Sequence, residues 1–240
     1  MADRVGSYSC RTETCHGASH TVRHDRARHA VEVVHTPGLD EFFQRLTRND
    51  YVMEDEETAT NALVTGPPRS GKTTVIERTV ARLRDGGVTV GGIVCPELRT
   101  AGDRVGFEIV DIAGGRREVM AHVDFDDGPS VGKYGVDTEA VDAVAARAIP
   151  AAVADADCVV IDEIAPMELT SDRFVAVTRD ALEDPTQVLA AIADNPQQGF
   201  LREVSERHDV TSFRVTTATR EDLPAQLETW VLHRDDAHGC

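Results

Sequence analysis

Apolar and polar residues follow a strand-like or helical period along most of the chain from residue 61 onward. The stretch "ALVTG" is a short apolar run, and "TTVIERTVARLRDGG" has apolar residues at helical spacing until it stops at Gly86-Gly87. "VTVGGIVCPEL" has the composition of one strand. "RVGFEIVDIAGGRREVMAHVD" alternates like two antiparallel strands joined at Gly114-Gly115. These patterns predict strand, helix and strand, followed by a β-rich insertion over residues 96–135.

The second half of the chain repeats the alternation of helix and strand. "DTEAVDAVAARAIPAAVAD" is helical, with an Asp or Thr as its N-cap, and "DCVVIDEI" is a buried strand. Helix, strand, helix, strand and helix then follow in "SDRFVAVTRDALED", "QVLAAIAD", "PQQGFLREVSERHD", "VTSFRVT" and "REDLPAQLETWVLH". Strands that alternate with helices predict an α/β fold in which helices flank a mainly parallel sheet.

Composition narrows the classes of protein to which this chain can belong. A net charge of -17 disfavours nucleic acid and anionic membranes as partners, because both repel a negative surface. The chain uses lysine only at Lys72 and Lys133, and this scarcity together with the acidity indicates adaptation to high salt. It has no apolar run long enough to span a bilayer and no signal-peptide layout, so we expect a soluble cytoplasmic protein.

The charge balance divides the chain near residue 52. Residues 1–52 hold seven arginines and seven acidic residues and sum to zero, so residues 53–240 carry the whole net charge of -17. We therefore predict a disordered or poorly ordered extension over 1–52, with one short amphipathic helix at 39–46, and a single domain over 53–240. Zinc binding near the N-terminus is disfavoured, because the cysteines and histidines there lack paired C-x-x-C spacing. Those residues are Cys10, Cys15, His16, His20 and His24.

The strongest motif is "GPPRSGKTT", which fits G-x-x-x-x-G-K-[ST] between a predicted strand and a predicted helix. Backbone N–H groups in such a loop surround the β-phosphate of a nucleotide, and the helix N-terminus adds a favourable dipole. Lys72 is expected to reach the β- and γ-phosphates, and Thr73 to supply a hydroxyl to Mg²⁺. The nucleotide-binding residues predicted by this motif are Gly66, Pro67, Pro68, Arg69, Ser70, Gly71, Lys72, Thr73 and Thr74.

A second motif, "CVVIDEIAPMEL", places two carboxylates at the end of an apolar strand. Asp162 has the position of a Walker B aspartate, which helps to hold Mg²⁺. Glu163 follows directly, and a carboxylate beside the γ-phosphate can activate an attacking water. The same apolar strand contains Cys158, and Cys95 lies in another apolar run, so both cysteines are predicted to be reduced core residues.

The second lysine lies between glycines in "SVGKYGVD". Phosphoryl transfer spreads negative charge over the γ-phosphate oxygens, and a cation placed there accelerates it. We therefore predict that Lys133 acts in the site, either by contacting the nucleotide or by bracing its loop; the alternative is an ordinary surface lysine. Arg99 and Arg104 are weaker candidates for the same role, because arginines on an acidic surface usually pair with nearby acids.

Four stretches carry a resemblance to a known family: "GPPRSGKTT", "GGIVCPELRTAGDRVGFEIVDI", "VGKYGVD" and "DEIAPMEL". In this order they resemble the small P-loop nucleoside-triphosphatases of archaea and thermophilic bacteria, a family that includes the human cancer-related nucleoside-triphosphatase. The resemblance covers roughly residues 61–235. It implies a RecA-like P-loop domain and Mg²⁺-dependent hydrolysis of ATP, GTP and other nucleoside triphosphates. This chain departs from the family's glycines at Arg69 and Ala165.

Two alternatives remain open at this stage. A P-loop kinase would move the γ-phosphate to a small acceptor and would use an arginine-rich lid, for which "GGRREV", with Arg117, is the candidate segment. A nucleotide-dependent switch would bind nucleotide tightly and turn over very slowly. No guanine-reading Asn/Lys-x-x-Asp motif is present, which favours broad nucleotide use.

Overall fold

The computed structural model describes residues 59–194 and 199–235, and its core is a parallel five-stranded sheet. The five strands are β1 (Asn61–Thr65), β2 (Val90–Val94), β8 (Cys158–Ile164), β9 (Gln187–Ile192) and β10 (Val210–Arg214). They lie side by side in the order β10-β1-β9-β8-β2. If these five strands alone are numbered 1 to 5 along the chain, this order is 5-1-4-3-2. Because all five are parallel, their carboxyl ends meet at one edge of the sheet.

Antiparallel strands extend the sheet beyond β2 and form the predicted β-rich insertion. They are β3 (Glu97–Thr100), β4 (Asp103–Asp111), β5 (Arg117–His122), β6 (Ser130–Val131) and β7 (Tyr134–Val136). Strand β4 pairs with β2 only through two residue pairs, Val94 with Val110 and Ile93 with Asp111. The earlier residues of β4 therefore project past the carboxyl end of β2, where they pair with β3 and β5.

Helices cover both faces of the sheet. They are α1 (Lys72–Asp85), α2 (Thr138–Asp155), α3 (Asp172–Glu183), α4 (Gly199–Ser205) and α5 (Leu223–Asp235). Alternate residues of β1 enter two different hydrophobic clusters, with Leu63 on the face of α2 and α3 and Val64 on the face of α1 and α5. The period of two along a buried strand thus supplies apolar side chains to both layers. No described helix is both long enough and apolar enough to cross a membrane.

Local sequence signals account for the helix boundaries. The side chain of Asp137 accepts a hydrogen bond from Ala140 N at 3.0 Å, so it is the N-cap predicted for α2. Helix α1 ends at Gly86-Gly87 as expected, with Gly87 at a φ of 87° and Val88 N donating to Leu83 O at 2.9 Å.

The structure corrects two element boundaries. The single strand predicted for "VTVGGIVCPEL" is two strands, β2 and β3, separated at Cys95-Pro96, because proline cannot donate a ladder hydrogen bond. The helix predicted over 196–209 ends at Ser205, and its predicted start lies outside the described residues. The predicted extension over 1–52, the helix at 39–46 and the cysteine and histidine set at 10–24 lie outside the described residues.

Candidate functional site: a phosphate-binding loop and two strand-end carboxylates

The loop between β1 and α1 has the tight form that its sequence predicts. Ser70 N donates to Pro67 O at 3.1 Å, and Val75 N donates to Gly71 O at 2.9 Å, which begins the helix. Gly66 has a φ of 152°, and a Cβ there would lie 3.0 Å from the backbone oxygen of Val215, so the position where the chain leaves β1 favours glycine. The structure therefore brings the predicted nucleotide-binding residues together as one loop that ends at the N-terminus of α1.

Arg69 departs from the family's glycine and still adopts the backbone conformation that glycine favours. Its φ is 65°, in the left-handed region, and its side chain is exposed. A left-handed non-glycine residue costs roughly 1–3 kcal/mol, which the surrounding loop must offset. Ala165, the second departure, is buried and does not have a positive φ, so this position makes no such demand on the backbone.

Lys72 is the first residue of α1 and lies against the end of β8. Its side chain is 10% exposed, and its Nζ lies 3.1 Å from Glu163 Oε2 and 3.3 Å from Gly66 O. Strand β9 separates β1 from β8, so this contact spans the edge where the parallel strands end. The structure therefore brings together two of the three predicted catalytic side chains, Lys72 and Glu163.

Asp162 is buried at the end of β8 and is the residue predicted to hold Mg²⁺. It is 1% exposed, and neither carboxylate oxygen has a hydrogen-bond partner among the described residues. Burial is the largest cause that raises the Asp162 pKa, to about 7, and the charge of Glu163 adds to it. The Thr73 hydroxyl and the Lys72 ammonium oppose this rise without giving either oxygen a well-formed hydrogen bond.

A third carboxyl group, to which the sequence pattern gave no role, lies near this pair. Glu168 begins a short 3₁₀ turn, Glu168–Thr170, and is 3% exposed. Burial, followed by the charge of Glu163, raises its pKa well above the usual value. Cys95, a buried free thiol as predicted, lies close to the same carboxyl group. The signal in the sequence was a glutamate four residues after the apolar strand, in "APMEL".

Lys133 lies in a two-residue turn that joins β6 to β7, with Gly132 at a φ of 62°. Its Nζ donates to Arg104 O at 3.2 Å and lies 5.2 Å from the centroid of the Tyr134 ring. Arg104 is six residues along β4 from Val110, roughly 20 Å at the rise of a strand. In the structure Lys133 contacts this outer part of the insertion, whereas Lys72 contacts Glu163.

The other candidate cations are paired with acids. Arg99 and Arg104 share Glu97, with nitrogen-to-oxygen distances of 2.6 Å and 2.7 Å, respectively. Arg104 also donates to the Tyr134 hydroxyl at 3.0 Å. Arg117 pairs with Glu108 at 3.4 Å. This is the pairing expected of arginines on an acidic surface.

Fold and loop together define a class of protein. A parallel sheet in the order 5-1-4-3-2, a G-x-x-x-x-G-K-[ST] loop between β1 and α1, and a buried aspartate at the end of β8 define a P-loop protein of the RecA-like type.

Comparisons with known proteins identify the family. The family model described as NTPase matches residues 61–227, and the chain belongs to this family. The nucleoside-triphosphatase THEP1 of Thermofilum pendens is 45% identical over 170 residues, which cover 70% of this chain and 93% of that protein. The THEP1 of Methanothermobacter thermautotrophicus is 40% identical over 159 residues, 66% of this chain and 88% of that protein.

Two solved structures have the same fold. The crystal structure of THEP1 from the hyperthermophile Aquifex aeolicus matches with a TM-score of 0.65 at 26% identity, over 71% of this chain and 98% of that one. The solution structure of a human cancer-related nucleoside triphosphatase matches with a TM-score of 0.62 at 31% identity, over 73% and 98%, respectively. These findings confirm the resemblance and the fold class that the sequence predicted.

Proposed function

We propose that this protein hydrolyses nucleoside triphosphates, with ATP and GTP among them, to diphosphate and phosphate in the presence of Mg²⁺. The observation that carries the proposal is the contact of Lys72, in the P-loop, with Glu163, which directly follows the buried Asp162 at the end of β8. The similar proteins from Thermofilum pendens and Methanothermobacter thermautotrophicus are named nucleoside-triphosphatases. Hydrolysis of an acid anhydride is therefore the activity that family and site support together.

The P-loop binds the phosphates in this proposal. Free backbone N–H groups at the start of α1 attract an anion, and the positive end of the helix dipole attracts it as well. Lys72 reaches the β- and γ-phosphates, and its ammonium, with three N–H donors, now lies 3.1 Å from Glu163 Oε2. The phosphates therefore compete with Glu163 for this ammonium when nucleotide binds.

The residues around Asp162 fit a Mg²⁺ ion. A buried carboxylate with two unpartnered oxygens is a costly arrangement by itself and an appropriate one beside a divalent cation. Thr73 would supply a hydroxyl to the ion and Asp162 would hold its coordination shell from β8. When bound, Mg²⁺ neutralises charge on the β- and γ-phosphate oxygens.

Glu163 is the proposed base for the attacking water. Its side chain is 34% exposed, so it is accessible to solvent while Asp162 beside it is not. A carboxylate in this position accepts a proton from the water as the water oxygen bonds to the γ-phosphorus and the bond from that phosphorus to the β–γ bridging oxygen breaks, which releases the diphosphate. Lys133 is proposed to support catalysis by bracing the β6–β7 turn or by contacting the nucleotide, and its bond to Arg104 O favours the bracing role.

The kinase alternative loses its candidate lid. The turn that leads from β4 to Arg116 and Arg117 leaves β4 in the direction opposite to the P-loop edge, because β4 is antiparallel to β2. At the start of this turn the Ile112 carbonyl accepts a hydrogen bond of 2.9 Å from the guanidinium of Arg84, near the C-terminal end of α1. The segment therefore lies near the end of α1 opposite to the N-terminus, at which a γ-phosphate would bind.

We also propose that the protein is cytoplasmic and works at high salt, with nucleoside triphosphates as its partners rather than nucleic acid or membranes. The net charge of -17 supports this, because high salt screens the repulsion among carboxylates.

Phosphate release from a panel of nucleoside triphosphates in molar KCl tests the proposal. We expect Mg²⁺-dependent release from several nucleotides, loss of release with EDTA, and no stimulation by small phosphate acceptors. Lys72→Ala serves as the inactive control. Tight nucleotide binding with turnover below about 10⁻³ per second would instead support a switch, and phosphate transfer to an acceptor would support a kinase.

A further inference from the structure

The loop that follows β10, residues 215–222, lies directly beside the start of the P-loop. Val215 is buried, and its N donates to the carbonyl oxygen of the last β1 residue at 2.8 Å. A Cβ on Gly66, the first P-loop residue, would lie 3.0 Å from Val215 O. Toward the other end of the loop, Glu221 Oε2 lies 2.8 Å from a guanidinium nitrogen of Arg78 in α1. The loop therefore borders both the P-loop and the helix that the P-loop begins.

Threonine hydroxyls hold this loop in shape. Thr219 Oγ1 donates to Arg214 O at 2.8 Å and accepts from Thr216 N at 3.0 Å, and the hydroxyl oxygens of Thr216 and Thr219 lie 3.1 Å apart. Thr217 and Ala218 lie between them at the tip of the loop, and both are exposed. The Thr217 hydroxyl has no hydrogen-bond partner among the described residues. The loop thus presents an exposed hydroxyl on a backbone that its own side chains fix.

The reacting groups fix the direction in which a nucleotide lies across the sheet edge. Lys72 and Glu163 meet at the end of β8, so the γ-phosphate, which is the terminal group, lies toward that strand in the proposed function. The ribose and base therefore leave the P-loop on the side away from β8. In the strand order β10-β1-β9-β8 that side is β10, three strand spacings or roughly 14 Å from β8. The exposed segment at the carboxyl end of β10 is the loop 216–222.

We propose that residues 216–219 form the nucleoside subsite, in which the Thr217 hydroxyl bonds the ribose or base of the bound nucleotide. This inference rests on the proposed function, because the direction of the nucleotide comes from the catalytic groups. A hydroxyl both donates and accepts hydrogen bonds, so the contact suits bases with different edges. The side chains from 216 to 220 include no amide or carboxylate. The subsite is therefore one that accepts nucleotides of several bases.

Thr217→Val tests this contact, because valine removes the hydroxyl and keeps the shape of the side chain. Titration calorimetry in molar KCl compares Mg·ADP with Mg·tripolyphosphate, which has phosphates but no nucleoside. We expect the Kd for ADP to rise by about 3- to 10-fold through the loss of one hydrogen bond, and the Kd for tripolyphosphate to stay within about twofold. Thr100→Val is the matched control at an exposed threonine of the insertion, and it should change neither Kd.

A second variant adds bulk at the tip of the loop. Ala218 is exposed and does not have a positive φ, so leucine can adopt its backbone conformation. We expect Ala218→Leu to raise the Kd for ADP by about 10-fold, because its side chain occupies space that the nucleoside needs. The Kd for tripolyphosphate should again stay within about twofold of the parental value.

These affinities are measured without turnover, which separates the nucleoside subsite from the proposed function. Parental ADP binding in both variants would overturn the subsite, and so would an equal rise of the Kd for ADP and tripolyphosphate, because the loop would then act on the phosphates. The expected affinities without phosphate release from ATP by the parent chain would support the subsite and overturn only the proposed hydrolysis. Failure of the parent chain to bind tripolyphosphate would overturn both.

Discussion

Asp162 and Glu163 are adjacent in the chain and chemically similar, yet the fold gives them different surroundings. Asp162 is 1% exposed and without a hydrogen bond, whereas the Glu163 side chain is 34% exposed and paired with Lys72. Successive side chains of a strand point to opposite faces, and the strand end is where one of them reaches solvent. This difference supports separate roles, with the buried group suited to a metal and the accessible one to water.

The role of Glu163 can be tested by removing only its charge. We predict that Glu163→Gln keeps Mg·ATP binding and lowers turnover by about 10²-fold or more, because the amide cannot accept the proton of the attacking water. Nucleotide titration and phosphate release, measured on the same preparation, provide the two values. Turnover close to that of the parent would place the base on another residue.

Lys133 and Lys72 should differ in what their loss affects. We predict that Lys133→Ala lowers kcat by roughly 10- to 10³-fold and raises KM less, because Lys133, whether it braces its turn or contacts the nucleotide, is proposed to act on the charge that develops in the transition state. Lys72→Ala should damage binding and catalysis together. Lys133→Arg should recover only part of the activity, since a planar guanidinium does not replace a point charge.

The comparison of the lysine variants belongs at high salt, where nonspecific attraction to the nucleotide is screened. If Lys133→Ala hydrolyses as fast as the parent, Lys133 is an ordinary surface lysine. Its exposed contacts with Arg104 O and the Tyr134 ring would then have only a structural role in the insertion.

At the scale of elements, strand β8, which carries Asp162 near its end, packs closely against β2. Gly92 in β2 has a φ of 105°, and a Cβ there would lie 2.1 Å from Val160 O in β8. Gly87, just before β2, has a φ of 87° but open space around the same position. Alanine at Gly87 would therefore meet only the cost of the backbone conformation, whereas alanine at Gly92 would also meet a steric clash.

We predict that Gly92→Ala destabilises the fold by more than about 3 kcal/mol or prevents folding, because strands β2 and β8 would have to separate. Gly87→Ala should cost only about 1–2 kcal/mol, the cost of a left-handed conformation. Urea denaturation followed by circular dichroism measures both values. Equal destabilisation by the two variants would contradict the close approach of β2 to β8.

A second link between elements joins the loops that enter β2 and β8. The Asp157 carboxylate accepts hydrogen bonds from the Thr89 hydroxyl and from Thr89 N, the latter at 2.7 Å, and these bonds lower its pKa. A carboxylate whose pKa is lower in the folded state stabilises the fold above its unfolded pKa. That stabilisation is lost as the pH falls through the folded value.

We therefore predict that Asp157→Asn lowers the free energy of unfolding by about 1 kcal/mol at pH 7, since Asp157 is exposed and its bonds compete with water. The difference from the parent should begin to shrink near pH 4 and disappear at a pH below the lowered folded-state pKa of Asp157, where the parental carboxylate is protonated. Unfolding in molar KCl at both pH values provides the measurement, with Asp126→Asn, on an exposed loop, as the control. A difference that is the same at both pH values would show that the charge is not responsible.

At the scale of the whole molecule, the family match and the net charge both lie after the first 52 residues. The family model matches residues 61–227, and all of the net charge of -17 lies in residues 53–240. We predict that a chain beginning at Met53 folds and hydrolyses nucleotides as the full chain does, because the P-loop and both strand-end carboxylates lie within it. Thermal unfolding and phosphate release of the two chains, compared in molar KCl, test this. Loss of folding, or loss of a bound zinc needed for activity, would assign a role to Cys10, Cys15 and the nearby histidines.

The sequence alone was sufficient for features that depend on local chemistry. The P-loop between a strand and a helix, the Asp137 cap, the helix end at Gly86-Gly87 and the hairpin of β4 and β5 all match their predictions. Each is encoded within a few residues, because caps, turns and strand periodicity act over that range. The resemblance to a known family added the inference of a RecA-like P-loop domain.

Only the tertiary structure decided which distant residues meet. It pairs Lys72 with Glu163 across the end of β9 and buries Glu168 near them. It also places Lys133 against Arg104, in the outer part of the insertion. None of these contacts follows from spacing along the chain, because strand order and the projection of β4 past β2 set them. For this protein, residue types and local motifs determine which chemical groups are available, and the packing of the sheet determines which of these groups meet in one site.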